Sequence, residues 1–202
     1  MRAMVDSPLP EPGDVRVSAL SPHQFQLAAP VLVDIYLAAM DYQRSLRSSR
    51  VAAWRQQAVH PGFRAVIGHD RDTVLGFAYA FQGSAERWWH RHVADGLRRA
   101  AGAAAAGRFL TDYLELAEVH VDPRFQSRGL GRRLVRAVTD AAPQPRVVLS
   151  TPEVPGEDNN AFRAYRALGF YDLMRGLVFP GDSRPFAVLA ADLPLPAEDL
   201  RR

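Results

Sequence analysis

Val119-His120-Val121-Asp122-Pro123-Arg124-Phe125-Gln126-Ser127-Arg128-Gly129-Leu130-Gly131 alternates apolar and polar residues, stops at Asp-Pro, turns through two glycines and then opens into a helical pattern. Downstream, Leu130, Leu134, Ala137, Val138 and Ala141 share one helical face, with Arg132, Arg133, Arg136 and Asp140 turned elsewhere. A strand that feeds a glycine turn and then a helix presents unpaired backbone N–H groups, and the helix dipole adds positive potential at the same spot. Gly129 and Gly131 let a ligand approach the main chain without a Cβ in the way. The expected anion contacts are the N–H groups of Ser127 to Arg132, joined by the Arg128 and Arg132 side chains.

Two phosphate-binding alternatives fail by inspection. A dinucleotide fingerprint needs a third glycine three residues after Gly131, where Leu134 stands. A Walker A loop needs lysine, and all 25 basic residues are arginine. Cysteine is also absent, which removes disulfides, thiolate zinc sites and a cysteine nucleophile. What remains is chemistry by carboxylate, His, Tyr, Ser and backbone. A net charge of +3 on 202 residues is mild and gives no reason to expect nucleic acid. No apolar run approaches a membrane span and Met1 to Asp6 lacks a signal-peptide core, so the expectation is a cytoplasmic protein with no membrane partner.

Outward from the loop, residues 1–14, with Pro8, Pro10 and Pro12, read as an N-terminal arm, 15–193 as one domain and 194–202 as a tail. Val15 to Leu20 reads as a strand. Ser21-Pro22-His23-Gln24 reads as a capping box that starts a helix, kinked or split at Pro30. Val51, Trp54 and Ala58 have helical spacing; Phe63 to Gly68 and Thr73 to Phe81 read as an antiparallel hairpin. Residues 84–107 read as an inserted amphipathic helix with Trp89, Val93 and Leu97 on one face, and Phe109 to Val121 as a long strand. A strand over Arg146 to Ser150, a helix over Asn159 to Leu168 and two strands, Phe170 to Phe179 and Pro185 to Leu193, follow. This order is mixed α/β, with a mostly antiparallel sheet flanked by helices.

The loop resembles the cofactor motif of the GCN5-related N-acetyltransferases (GNAT), Gln/Arg-x-x-Gly-x-Gly/Ala after a strand, with Gln126, Gly129 and Gly131 at its defined positions. Asn159-Asn160-Ala161-Phe162-Arg163-Ala164-Tyr165-Arg166-Ala167-Leu168-Gly169-Phe170 is similar to that family's Asn-containing helix ending in Tyr-x-x-x-Gly-Phe. The resemblance implies the GNAT fold and direct transfer of the acetyl group of acetyl-CoA to a primary amine, with no metal. It implies that Tyr165 lies near the cofactor sulfur and donates a proton, that Asn159 or Asn160 contacts the cofactor arm, and that the main chain of Val119, His120 and Val121 serves the pantetheine and thioester. Gln126, Ser127, Arg128, Gly129, Leu130, Gly131 and Arg132 would hold the pyrophosphate.

The proton of the amine needs an acceptor, and period-two alternation puts Glu118 and His120 on one face of the strand with Glu115 on the other. Either Glu118 or His120 could take it; Glu115 is the weaker choice. The resemblance implies that the acceptor, a small amine or a peptide, is bounded by the first helices and the variable loops, here Tyr36 to Arg50 and the insertion with Trp88, Trp89, His90 and His92. The His90-x-His92 spacing does not place two metal ligands on one helix face. An acetyl-CoA sensor that has lost transfer is the competing reading, and a homodimer built on the insertion or the last strand is one arrangement open to the chain.

Overall fold

The computed structural model describes residues 15–71 and 73–197; the arm over 1–14 and the end of the tail lie outside the described residues. Seven strands, β1 (Arg16–Leu20), β2 (Arg64–Asp70), β3 (Thr73–Gln82), β4 (Leu114–Val121), β5 (Arg146–Pro152), β6 (Tyr171–Leu177) and β7 (Phe186–Asp192), form one sheet in the order β1-β2-β3-β4-β5-β7-β6. Every neighbouring pair is antiparallel except β4 and β5. The mixed α/β, mostly antiparallel expectation holds.

Helices α1 (Pro22–Met40) and α2 (Arg47–Gln57) cover one face of the β1–β4 half, and α5 (Leu130–Thr139) covers the other. The capping box at the start of α1 forms as read: Ser21 Oγ accepts from Gln24 N, and Gln24 Oε1 accepts from Ser21 N. Helix α1 is not split at Pro30 but runs through it. Proline has no N–H for the carbonyl four residues back, so Gln26 O would be orphaned. Arg55 Nε of α2 donates to that oxygen at 3.1 Å, and Gln26 Nε2 returns a bond to Arg55 O. A neighbouring helix therefore supplies what the proline removed. Leu130, Leu134, Val135 and Val138 of α5 are buried against the sheet, each contributing roughly 1.5–3 kcal/mol by burial.

The stretch after β3 departs from the reading. It holds two helices, α3 (Trp88–Ala101) and α4 (Ala103–Leu110), broken at Gly102 with φ +84°. Phe109 and Leu110 belong to α4, not to the strand, which begins at Leu114. Ala106 and Leu110, four apart, are buried with Val93 and Leu97 of α3 against Met174, Leu177 and Val188 of β6 and β7, and this packing holds the segment helical. Helix α6 (Asn160–Ala167) packs beside α5.

Strands β4 and β5 pair only at Leu114–Val147 and Glu115–Val148. Beyond those residues β4 stays with β3 and β5 stays with β7, so the sheet opens into two arms with a cleft between them.

Candidate active site

The cleft has a volume of about 1270 Å³. Its floor is β4, and there the alternation expected from the sequence is broken. Glu118 pairs with Tyr79 and Leu116 with Ala80, so Ala117 is an extra residue, a β-bulge. The bulge reverses the phase: Leu116 and Val119 both pack on the α5 side. Glu115 is thereby moved from its expected opposite face to the face of Glu118 and His120, and all three line the cleft.

At one end of the cleft lies the glycine loop. Gly129 caps α5 with φ +80°, Ser127 has φ +62°, and no side chain caps the first turn of α5. The N termini of α1 and α6 do receive caps, from Ser21 and Asn159. Outside its chain neighbours and the backbone of its own helix, a Cβ on Gly131 would meet nothing nearer than Val121 Cγ2 at 4.0 Å, so packing against the rest of the protein does not require glycine there. The space is left for a ligand at an uncapped helix start, which fits a pyrophosphate.

Gln126 Nε2 donates to Val121 O (3.1 Å), Asn160 Nδ2 donates to Gln126 Oε1 (3.3 Å), and Ser127 Oγ donates to Asn160 Oδ1 (3.2 Å). These bonds tie α6 to the loop and hold Ser127 in its left-handed conformation, which costs about 1–2 kcal/mol in a non-glycine residue. Asn159 is occupied in capping, its Oδ1 accepting from Phe162 N at 2.8 Å. Of the arginines on α5, Arg133 binds Val15 O and Arg136 binds Pro196 O, while Arg132 lines the cleft.

Midway along the cleft, His120 Nε2 and Glu118 Oε2 are 2.7 Å apart. The imidazole stands edge-on to Tyr36 at 5.0 Å. Tyr165 lines the same cleft from α6, its ring 5.3 Å from Phe170. Burial, reinforced by the Glu118 carboxylate, pushes its phenol well above the usual tyrosine range, so it keeps its proton at neutral pH. The Glu118–His120 pair and the protonated Tyr165 phenol therefore face one space.

Beyond them the walls are Tyr36, Tyr42, Tyr79, Phe81 and Trp88, with Arg50, Arg87 and Arg184. Trp89 Nε1 donates to Ser150 Oγ at 2.9 Å, seating α3 on β5. His90 is buried against the Tyr113 hydroxyl at 3.0 Å, and His92 lies 4.3 Å from the Trp88 ring. Among the described residues no three His, Cys, Asp or Glu side chains are grouped to hold a metal, and no helix is long and apolar enough to cross a membrane.

Glu115 is 4% exposed, with Oε2 3.4 Å from Arg87 Nε and neither atom hydrogen-bonded. Burial raises its carboxyl to about 7, with Arg87 opposing the shift. Such a group favours the folded state below the unfolded value of 4.5 and loses that contribution as pH rises to about 7. Chemical denaturation of the wild type should therefore lose about 3 kcal/mol of stability between those pH values from this group. Glu115→Gln should show that much less decline, and an unchanged slope would show that Glu115 titrates normally.

The profile of the acetyltransferase (GNAT) family matches residues 31–170. A GCN5-like protein acetyltransferase of Mycobacterium tuberculosis is 38% identical over 184 residues, covering 80% of this chain and 89% of the relative. Among solved structures, yncA of Salmonella typhimurium, an acetyltransferase determined with its cofactor acetyl-CoA, aligns with a TM-score of 0.57 at 16% identity over 89% of this chain and 94% of that one. The ribosomal-protein-S18-alanine N-acetyltransferase of Escherichia coli aligns with a TM-score of 0.57 at 15% identity over 93% and 99%. The profile over residues 31–170 and the relative at 38% identity agree: the chain belongs to the GNAT family of acetyltransferases.

Proposed function

We propose that this protein transfers the acetyl group of acetyl-CoA directly to a primary amine carried by a polypeptide. The observation that carries the reading is the placement of Tyr165 and the Glu118–His120 pair in one cleft that begins at the glycine loop. The family supports acetyl transfer, and the name of the Mycobacterium tuberculosis relative, a protein acetyltransferase, supports a polypeptide over a small amine.

Acetyl-CoA supplies the acetyl group activated as a thioester. The N–H groups at the start of α5, with Arg132, hold its pyrophosphate, and Asn160 keeps the loop in shape. The Glu118–His120 pair accepts the proton of the arriving ammonium, so that nitrogen presents a lone pair. Main-chain groups of Val119 to Val121 position the thioester and stabilise charge on its carbonyl oxygen. The lone pair forms the C–N bond at the thioester carbonyl; as the C–S bond breaks, Tyr165 delivers its proton to the departing sulfur and is reprotonated by the proton that leaves the acylated nitrogen, so the products are a neutral amide and the CoA thiol.

Gly129→Val tests the cofactor half. A β-branched residue is strained at φ +80°, and its Cβ would stand 3.7 Å from Arg132 Nη2. Acetyl-CoA binding by calorimetry should weaken about tenfold or more, since distorting this turn costs upwards of about 1.4 kcal/mol; unaltered affinity would remove the loop from the site. The reading as a whole is tested by a thiol-release screen over pools of peptides and small amines. Release with peptides supports it, and release with small amines alone would reassign the acceptor. Acetyl-CoA binding without any release would favour the sensor.

A further inference from the structure

The acceptor half of the cleft is crossed by one hydrogen bond between residues 142 positions apart, Arg184 Nη2 to Tyr42 Oη at 2.6 Å. Tyr42 lies between α1 and α2, which pack on the β1–β4 arm; Arg184 lies between β6 and β7, in the other arm. The bond therefore spans the gap that opens where β4 and β5 stop pairing. We propose that Tyr42 and Arg184 form a selectivity bar at the acceptor entrance, admitting an amine on a slim, unbranched stem, such as a lysine side chain, and rejecting amines mounted on a bulky ring. The proposal deepens the acetyl-transfer reading and rests on it.

Arg184 is held in place independently of Tyr42. Asp182 accepts from its Nε at 3.0 and 3.2 Å, from its Nη2 at 2.6 Å and from its main-chain N at 3.0 Å. The guanidinium also lies over Tyr42 and Phe186, 5.8 and 5.6 Å from the ring centres. A preordered guanidinium forms the crossing bond at little entropic cost. With its charge balanced by Asp182, it serves as a strut more than as an anion hook.

From the bar, a row of rings leads inward to the reacting pair: Tyr42 to Tyr36 at 5.4 Å, then Tyr36 to His120 at 5.0 Å. Aromatic walls beside an alkyl stem, ending at a carboxylate–imidazole pair, suit a single ammonium. Charge argues the same way. The guanidiniums lining this half, Arg50, Arg87 and Arg184, are matched in number by Glu115, Glu118 and Asp182, so no acidic field draws in a polycation.

The test compares wild type, Tyr42→Phe and Arg184→Ala on two acceptors, an N-terminally blocked peptide with one lysine and an aminocyclitol whose amines sit on the ring, by thiol release. Tyr42→Phe keeps the ring and deletes the crossing bond. Each variant should raise kcat/KM for the aminocyclitol relative to the peptide about tenfold or more, the scale on which pocket shape discriminates, with the KM for acetyl-CoA unchanged. A ratio within about twofold of wild type, or no turnover of the aminocyclitol by either variant, would overturn the bar while leaving acetyl transfer intact. Absence of transfer to any amine by the wild type, despite acetyl-CoA binding, would instead refute the reading beneath it.

Discussion

Tyr165→Phe should lower kcat by roughly a hundredfold to ten-thousandfold, the contribution of a positioned acid, while acetyl-CoA affinity stays close to wild type. The substitution removes one oxygen and keeps the ring that packs near Phe170. The phenol loses its proton only well above neutral pH, so the proton is present on Tyr165 when the thiolate departs. Stopped-flow measurement of thiol release gives kcat, and calorimetry gives the affinity. An unchanged kcat would show that the thiolate leaves without help from Tyr165, and a loss confined to affinity would make Tyr165 part of the cofactor wall.

Glu118→Gln should reduce kcat/KM at neutral pH by roughly a hundredfold or more and flatten the acid limb of the pH–rate profile. Glutamine can still bond to His120 across the 2.7 Å contact, so the geometry survives while the carboxylate of the pair is lost. An identical profile would move proton transfer to bulk water or to Glu115. The latter lies on the same face and has a carboxyl raised to about 7, so Glu115→Gln would then be the variant that shifts the limb.

Much of the fold was legible because its signals are local. The Ser21–Gln24 capping box, the hairpin of β2 and β3 and the strand–glycine–helix unit each rest on residues within one turn or one strand. Where the reading departed from the structure, a distant residue decided the matter. Helix α1 passes Pro30 unsplit because Arg55 answers the orphaned carbonyl, and no pattern within α1 announces that partner. Phe109 and Leu110 look like the start of a strand, yet they finish α4 because β6 and β7 offer an apolar surface at helical spacing.

The cofactor half of the site follows the same rule. The loop proposed to hold the pyrophosphate is contiguous, so Gln126 to Arg132 stand out together in the sequence, whereas the cap made by Asn159 and the tie from Asn160 to Gln126 needed coordinates. The acceptor half was far less legible. The bulge at Ala117 exists only through the register with β3, so period-two counting placed Glu115 on the wrong face. Arg87, Arg184 and Tyr42 come from three different connections, and their sequence carries no motif that would bring them together.

The most direct test of the central claim is an intact-mass measurement on the lysine peptide incubated with purified protein and acetyl-CoA, with released thiol counted in the same sample. One acetyl group added to the peptide for each CoA released, with neither event when acetyl-CoA or peptide is withheld, is the result expected of direct transfer to an amine. An unmodified peptide beside acetyl-CoA that is bound but intact would contradict it.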